Sequence, residues 1–238
     1  MRCVTLGLLI AAAVCLGAAI ALSGANNSPV GTWQVSISGS DRGVTFLTFS
    51  NDFTFAGYGI SQDALGPFTI AGTWEFDSKG RIVGGYTQFI EGGSTAGILR
   101  GSIVGNGRLQ ARVKTTEGPE KFRAPAPAAS PDLAGAWAGK TRQPGENGLT
   151  SFTLTASTNM PGWFDLTGTG IDSGGSFTMS GAVLVTSDRR VGAYTVSDFG
   201  TATQTASFAG KLARKGKKLV LIGKNDDRQR VKLLAERP

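Results

Sequence analysis

The sequence predicts an all-β fold: two tandem antiparallel up-and-down β-barrel-like modules behind an N-terminal signal peptide. Three observations carry this. Glycine is abundant, 35 of 238 residues, among many Thr, Phe, Val and Ile, which is the composition of short strands joined by tight turns. Beyond the first 25 residues there is no extended helix-period pattern, and apolar residues instead alternate at period two, as along one face of a strand. A set of motifs also occurs twice in the same order, on either side of a Pro/Ala-rich stretch.

Residues 1–25 come first. Arg2 supplies a positive start, an uncharged apolar run extends from Val4 to about Leu22, and Ser23-Gly24-Ala25 offers small residues for cleavage. This is the pattern of a secretory signal peptide and places the protein outside the cytoplasm, secreted or periplasmic. An uncleaved anchor is the alternative, since the run approaches the ~20 residues that a membrane span needs. Cys15 raises a lipoprotein signal, against which stand Val14 before it and the apolar run after it. Cys3 and Cys15 both lie in this segment, so the cleaved chain has no thiol and no disulfide. Stability must come from burial, for which 40% hydrophobic and 17% charged residues are suited.

The first module is residues 26–123. It opens with Val30-Gly31-Thr32-Trp33 and continues through Phe68-Thr69-Ile70-Ala71-Gly72-Thr73-Trp74. The polar turn Asp77-Ser78-Lys79-Gly80-Arg81 leads into Val83-Gly84-Gly85-Tyr86-Thr87, then Gly101-Ser102-Ile103, and a last hairpin joins Arg108–Val113 to Lys121–Arg123. Residues 124–132, with Pro125, Pro127 and Pro131, read as a linker, because proline cannot donate ladder hydrogen bonds and favours extended chain.

The second module, residues 133–238, repeats the series. Ala134-Gly135-Ala136-Trp137 matches the opening, and Phe177-Thr178-Met179-Ser180-Gly181-Ala182-Val183 the middle strand. The turn matches as Ser187-Asp188-Arg189-Arg190, followed by Val191-Gly192-Ala193-Tyr194-Thr195 and Gly210-Lys211-Leu212; the last hairpin joins Lys218–Ile222 to Arg230–Leu234. Each module has room for roughly eight short strands, and closure into a barrel removes exposed sheet edges. Gly72 and Gly181, mid-strand on the apolar face, mark a bend or a close approach.

Ala134-Gly135-Ala136-Trp137-Ala138-Gly139-Lys140-Thr141 fits a loose phosphate-binding loop. Such a loop needs a buried strand before it and a helix after it. Here a Pro-rich linker precedes it, Pro144, Gly145 and Gly148 follow, and the first copy has no Gly-Lys-Thr. The stretch reads as a strand.

With no histidine, His-dependent nucleophile systems and zinc sites are excluded. Paired carboxylates survive that filter, with candidates Glu75, Asp77, Glu91, Asp165, Asp172 and Asp188. Turn positions and the polar face explain them better, so no catalytic residue, cofactor or metal site is expected. The charge is uneven: residues 211–238 hold ten Lys or Arg against Asp226, Asp227 and Glu236. Arg214, Lys215, Lys217 and Lys218 are the candidate anion-binding group. No aromatic residue follows Phe208, which argues against nucleic acid as the partner. Membrane contact is expected only through an uncleaved signal or this basic face.

The repeated Gly-x-Trp, at Gly31/Trp33 and Gly135/Trp137, followed by a Gly-rich meander, resembles the calycins, the lipocalin and avidin-like barrels. That resemblance implies closed up-and-down barrels with a small-molecule cavity in the mouth, and an Arg beneath the Trp, for which Arg123 and Arg230 are late enough in each module. The functional expectation is an exported, non-enzymatic protein binding a small apolar or amphipathic ligand, with Trp33, Phe68, Trp74, Tyr86, Trp137, Phe177 and Tyr194 as lining. The alternative is an envelope macromolecular interaction protein, a protease inhibitor or scaffold, using loops and the basic C-terminal face.

Overall fold

A computed structural model describes residues 28–237 apart from residue 64; the expected signal peptide lies outside the described residues. The chain forms two closed eight-stranded antiparallel barrels in tandem. Barrel one comprises β1 (Gly31–Gly39), β2 (Gly43–Phe49), β3 (Thr54–Ser61), β4 (Gly66–Phe76), β5 (Ile82–Ile90), β6 (Gly93–Val104), β7 (Arg108–Thr115) and β8 (Pro119–Ala124). Barrel two comprises β9 (Gly135–Gln143), β10 (Glu146–Ala156), β11 (Trp163–Asp172), β12 (Gly175–Val185), β13 (Arg190–Asp198), β14 (Thr203–Ala213), β15 (Lys218–Asn225) and β16 (Arg230–Glu236). Neighbours in sequence pair as hairpins, and each barrel is sealed by its first strand against its last, Ile37 opposite Phe122 and Lys140 opposite Leu234.

Gly139, Lys140 and Thr141 lie within β9, paired on both sides, so the loop-like spelling belongs to a strand. Gly72 and Gly181 are close approaches: a Cβ would collide with the Gly85 carbonyl at the first and the Tyr194 carbonyl at the second.

Period-two alternation fills each barrel. Inward residues of barrel one, among them Val35, Leu47, Phe55, Ile70, Leu99 and Phe122, form one buried cluster. Phe152, Leu166, Val183, Phe208, Leu221 and Leu233 belong to the matching cluster of barrel two.

A third cluster lies between the barrels. Val44, Phe46 and Ile60 on the outside of β2 and β3 pack against Trp163, Ala182 and Leu184 of barrel two, with Tyr58, Met160 and Tyr194 at the margin. Polar contacts pin the same seam. Ser207 Oγ donates to Ser61 O at 2.6 Å, Tyr58 Oη donates to Pro161 O at 3.0 Å, and Lys224 pairs with Asp63 at 3.0 Å. This contact explains two runs that do not alternate. Gly43 to Leu47 and Ala182 to Val185 are buried on both faces, because one face meets its own core and the other meets the neighbouring barrel.

One repeat correspondence is corrected. Asp77 N donates to Arg81 O at 2.9 Å and Thr186 N donates to Arg190 O at 2.9 Å, with Gly80 (φ 69) and Arg189 (φ 63) both left-handed. Arg81 N donates to Asp77 Oδ1 at 2.9 Å and Arg190 N to Thr186 Oγ1 at 3.0 Å, so Thr186 replaces Asp77. The second turn therefore begins at Thr186, and Tyr86 corresponds to Thr195. A one-residue slip sends a side chain to the other face of a sheet. Tyr194 accordingly points out of barrel two, its ring against Gly66 of barrel one, while Thr195 is the inward, buried residue.

Candidate binding surfaces

The interiors come first. Trp33 and Trp137 occupy equivalent places at one end of each barrel, their indoles donating four residues back, to Pro29 O at 2.5 Å and Leu133 O at 3.0 Å. Trp74 donates to Ser50 O at 3.3 Å. Phe68, Tyr86 and Phe177 also point inward and are buried. The arginine at Trp137 is Arg237, its guanidinium 4.9 Å from the ring centroid and bonded to Asp132 O at 3.2 Å. Arg123 and Arg230, the sequence candidates, sit on outward strand positions and are exposed, since each alternates with an inward neighbour, Phe122 and Val231.

At the opposite end of barrel two, Phe177, Met179 and Phe208, together with Gln143, Glu146, Asp172 and Ser197, line a partly open cavity of about 40 Å³. Phe199 leans over it, 5.0 Å from Phe177 between ring centroids. That volume suits a water molecule or so, whereas ligand pockets are typically ~300–1,000 Å³.

The matching end of barrel one is acidic and buried. Asp41, in the β1–β2 turn, is 7% exposed, and Glu120, which enters the barrel from β8, is 7% exposed. Asp41 accepts from Ser61 Oγ and from the Arg42 and Asp63 amides at 2.5 and 3.1 Å. Burial raises the Asp41 carboxyl despite those bonds. Glu120 has no ion-pair partner among the described residues, and burial, helped by the charges of Asp41, Glu117 and Asp63, pushes it up to about 7. Tyr86 Oη is buried with no hydrogen-bond partner. Burial raises its phenol too, with Glu120 and Asp41 adding to the effect. This group can hold a proton near neutrality.

Sequence reading passed over Asp41 and Glu120, although parity gave a signal: Glu120, Phe122 and Ala124 share one face of β8. Of the acids it did name, Asp77 is held down to about 2 by bonds from the Arg81 side chain and amide. Asp172 bonds the Gly174 amide at 2.8 Å and Asp188 bonds Thr186 Oγ1 at 2.5 Å, both turn roles, while Asp165 accepts from the Trp163 indole at 3.1 Å. Glu75 and Glu91 are exposed.

Of the basic group, Arg214, Lys215 and Lys217 are exposed around a short 3-10 turn, and Lys218 is half-buried. Arg214 and Lys218 both bind Glu236, at 3.1 and 2.6 Å, which removes much of their free charge. The adjoining wall of barrel two is less compensated. Arg142 lies directly opposite Lys232, and Arg230 opposite Lys224; like charges so placed repel. Arg142, Arg230 and Lys232 have no ion pair among the described residues.

No protein-family model, no curated protein and no solved structure matches this chain.

Proposed function

We propose that the chain is an exported, non-enzymatic binding protein that engages an envelope macromolecule through the outside of its barrels. The observation that carries this reading is the packing of the interiors: the aromatic side chains of both clusters fill the space that a ligand would need. The seam makes the two barrels a scaffold with fixed relative orientation, and their outer walls carry cations without internal partners.

A second reading has one observation in its favour. The small cavity under Phe199 would enlarge if that side chain swung outward, admitting a small apolar ligand into barrel two. The Arg237–Trp137 contact is in keeping with the calycin resemblance that suggests it.

Native mass spectrometry on residues 26–238 from an exporting host separates the two. The exterior reading expects the bare chain mass under native and denaturing conditions alike. A stoichiometric small-molecule adduct lost on denaturation would overturn it in favour of the barrel-mouth ligand.

A further inference from the structure

We infer that barrel one carries a binding face for a linear acidic polysaccharide on the outside of β6, β7 and β8. The inference rests on the exterior-binding reading and supplies its surface and partner class. Arg100 lies directly opposite Arg112 across the β6–β7 pair, and Arg112 directly opposite Lys121 across the β7–β8 pair. Three cations thus stand in one row at the ~4.8 Å spacing of adjacent strands. All three are exposed, as are the flanking Lys114 and Arg123. None of the five forms an ion pair among the described residues, and no outward position of β6–β8 holds a carboxylate.

Repulsion in such a row weakens the sheet, and an anion lying along it relieves that repulsion. A neighbouring row runs Ser102, Gln110, Arg123, Ser36, placing hydroxyl and amide groups beside the charges. The charged row meets β5 at Val83 and then β4 at Glu75. Beside it is an open hollow lined by Phe53, Gly84, Gly85 and Arg100 and also by Asp52, Glu75, Asp77 and Arg81. The polyanion track therefore ends at Arg100, and only its terminal sugar reaches Phe53. Phe53, at φ 63, is 55% exposed there, its ring centroid 5.2 Å from that of the buried Trp74.

These features select among polyanions. The row crosses strands, so it follows the circumference of a closed barrel and curves away from any plane; a membrane touches only part of it, while a flexible chain follows it. Nucleic-acid strands are held by stacking successive bases on aromatic rings, and this face offers one ring. A uronate polymer has an acid on each sugar, hydroxyls for the Gln110 row, and a C–H face for a single ring such as Phe53.

The test is titration of residues 26–238 with oligogalacturonate at several salt concentrations, against Arg100→Gln/Arg112→Gln/Lys121→Gln. All three positions are exposed, so the variant folds, which circular dichroism checks. A comparison variant, Arg142→Gln/Arg230→Gln/Lys232→Gln, removes charge from barrel two. The expected result is at least tenfold weaker binding in the first variant only. The slope of log affinity against log salt falls by about 2, at ~0.7 per charge on a single-stranded polyanion. Phe53→Ala weakens the glycan several-fold.

Equal or tighter binding of an oligothymidylate of matched charge, or of phosphatidylglycerol vesicles, overturns the polysaccharide assignment. Glycan binding lost only in the barrel-two variant overturns this face and keeps the exterior reading. No glycan binding at low salt overturns the inference alone, because the native-mass experiment decides the exterior reading separately.

Discussion

The two barrels share strand number, closure, indole-capped ends and an inward Phe toward the opposite end, Phe68 and Phe177, yet they differ around it: barrel one buries Asp41, Glu120 and Tyr86, whereas barrel two has Thr195 in the place of Tyr86 and sets Phe199 against Phe177. The duplicated framework therefore fixes the wall and leaves the contents of the mouth free. Titratable groups in one mouth make that barrel sensitive to pH. In the other mouth the acids Glu146 and Asp172 are only partly buried, beside the Phe177–Phe199 pair.

The largest perturbation of this comparison is at the shared end. Trp137→Ala costs about 4 kcal/mol by urea unfolding, within the range for large-to-small aromatic truncation. Trp33→Ala costs less by ~0.5–1 kcal/mol, the contribution of Arg237 over the Trp137 ring; equal losses would show that this contact adds nothing. Next is the seam. Leu184→Ala lowers stability by about 3 kcal/mol, and Leu184→Asp, which places a charge among Phe46, Ile60 and Trp163, divides a single unfolding transition into two.

The mouth of barrel one predicts a pH profile. Glu120 titrates near 4.5 when unfolded and about 7 when folded, so the folded state binds the extra proton between those values. Its contribution is fully present below pH 4.5 and is lost as pH rises to 7, on the order of 3 kcal/mol at ~1.4 kcal/mol per unit. Asp41 shifts in the same direction. Asp77 is shifted the other way, and its contribution is lost as pH falls from 3.8 toward 2. Stability should therefore peak at mildly acidic pH, and Glu120→Gln should flatten the neutral limb; a profile unchanged by that substitution would contradict the assignment.

Smaller effects sharpen the contrast further. Tyr86→Phe removes a buried hydroxyl without a partner and raises stability by roughly 1 kcal/mol, measurable as a higher Tm. Arg112→Gln, in the middle of the charged row, raises stability in polyanion-free buffer by ~0.5 kcal/mol.

The barrels, their hairpins and most inward aromatics were legible in the sequence because period two and turn residues are local signals. The misplaced residue, Tyr194, shows where locality fails. A left-handed Arg189 occupies the place of Gly80, and Thr186 that of Asp77, so turn chemistry changed while turn geometry did not. The seam was legible only in part: Gly43 to Leu47 and Ala182 to Val185 lack alternation, which signals burial on both faces without naming the covering partner. Arg237 was missed because a cation over an indole depends on where the last strand leaves the barrel. The Arg100–Arg112–Lys121 row was missed because cross-strand neighbours are distant in sequence until the register is known.

Closure by first-to-last pairing also sets an order of events as the chain emerges N-terminus first. Barrel one can seal once Ala124 has appeared, with β8 meeting β1. Barrel two must wait for β16, and until then β9 has an unpaired edge open to other strands. During that interval a sealed barrel one presents Val44, Phe46 and Ile60 without the Trp163, Ala182 and Leu184 side chains that cover them in the finished fold. A chain cut before Arg230 would keep that apolar wall and the β9 edge exposed together, making it prone to aggregation rather than merely shortened.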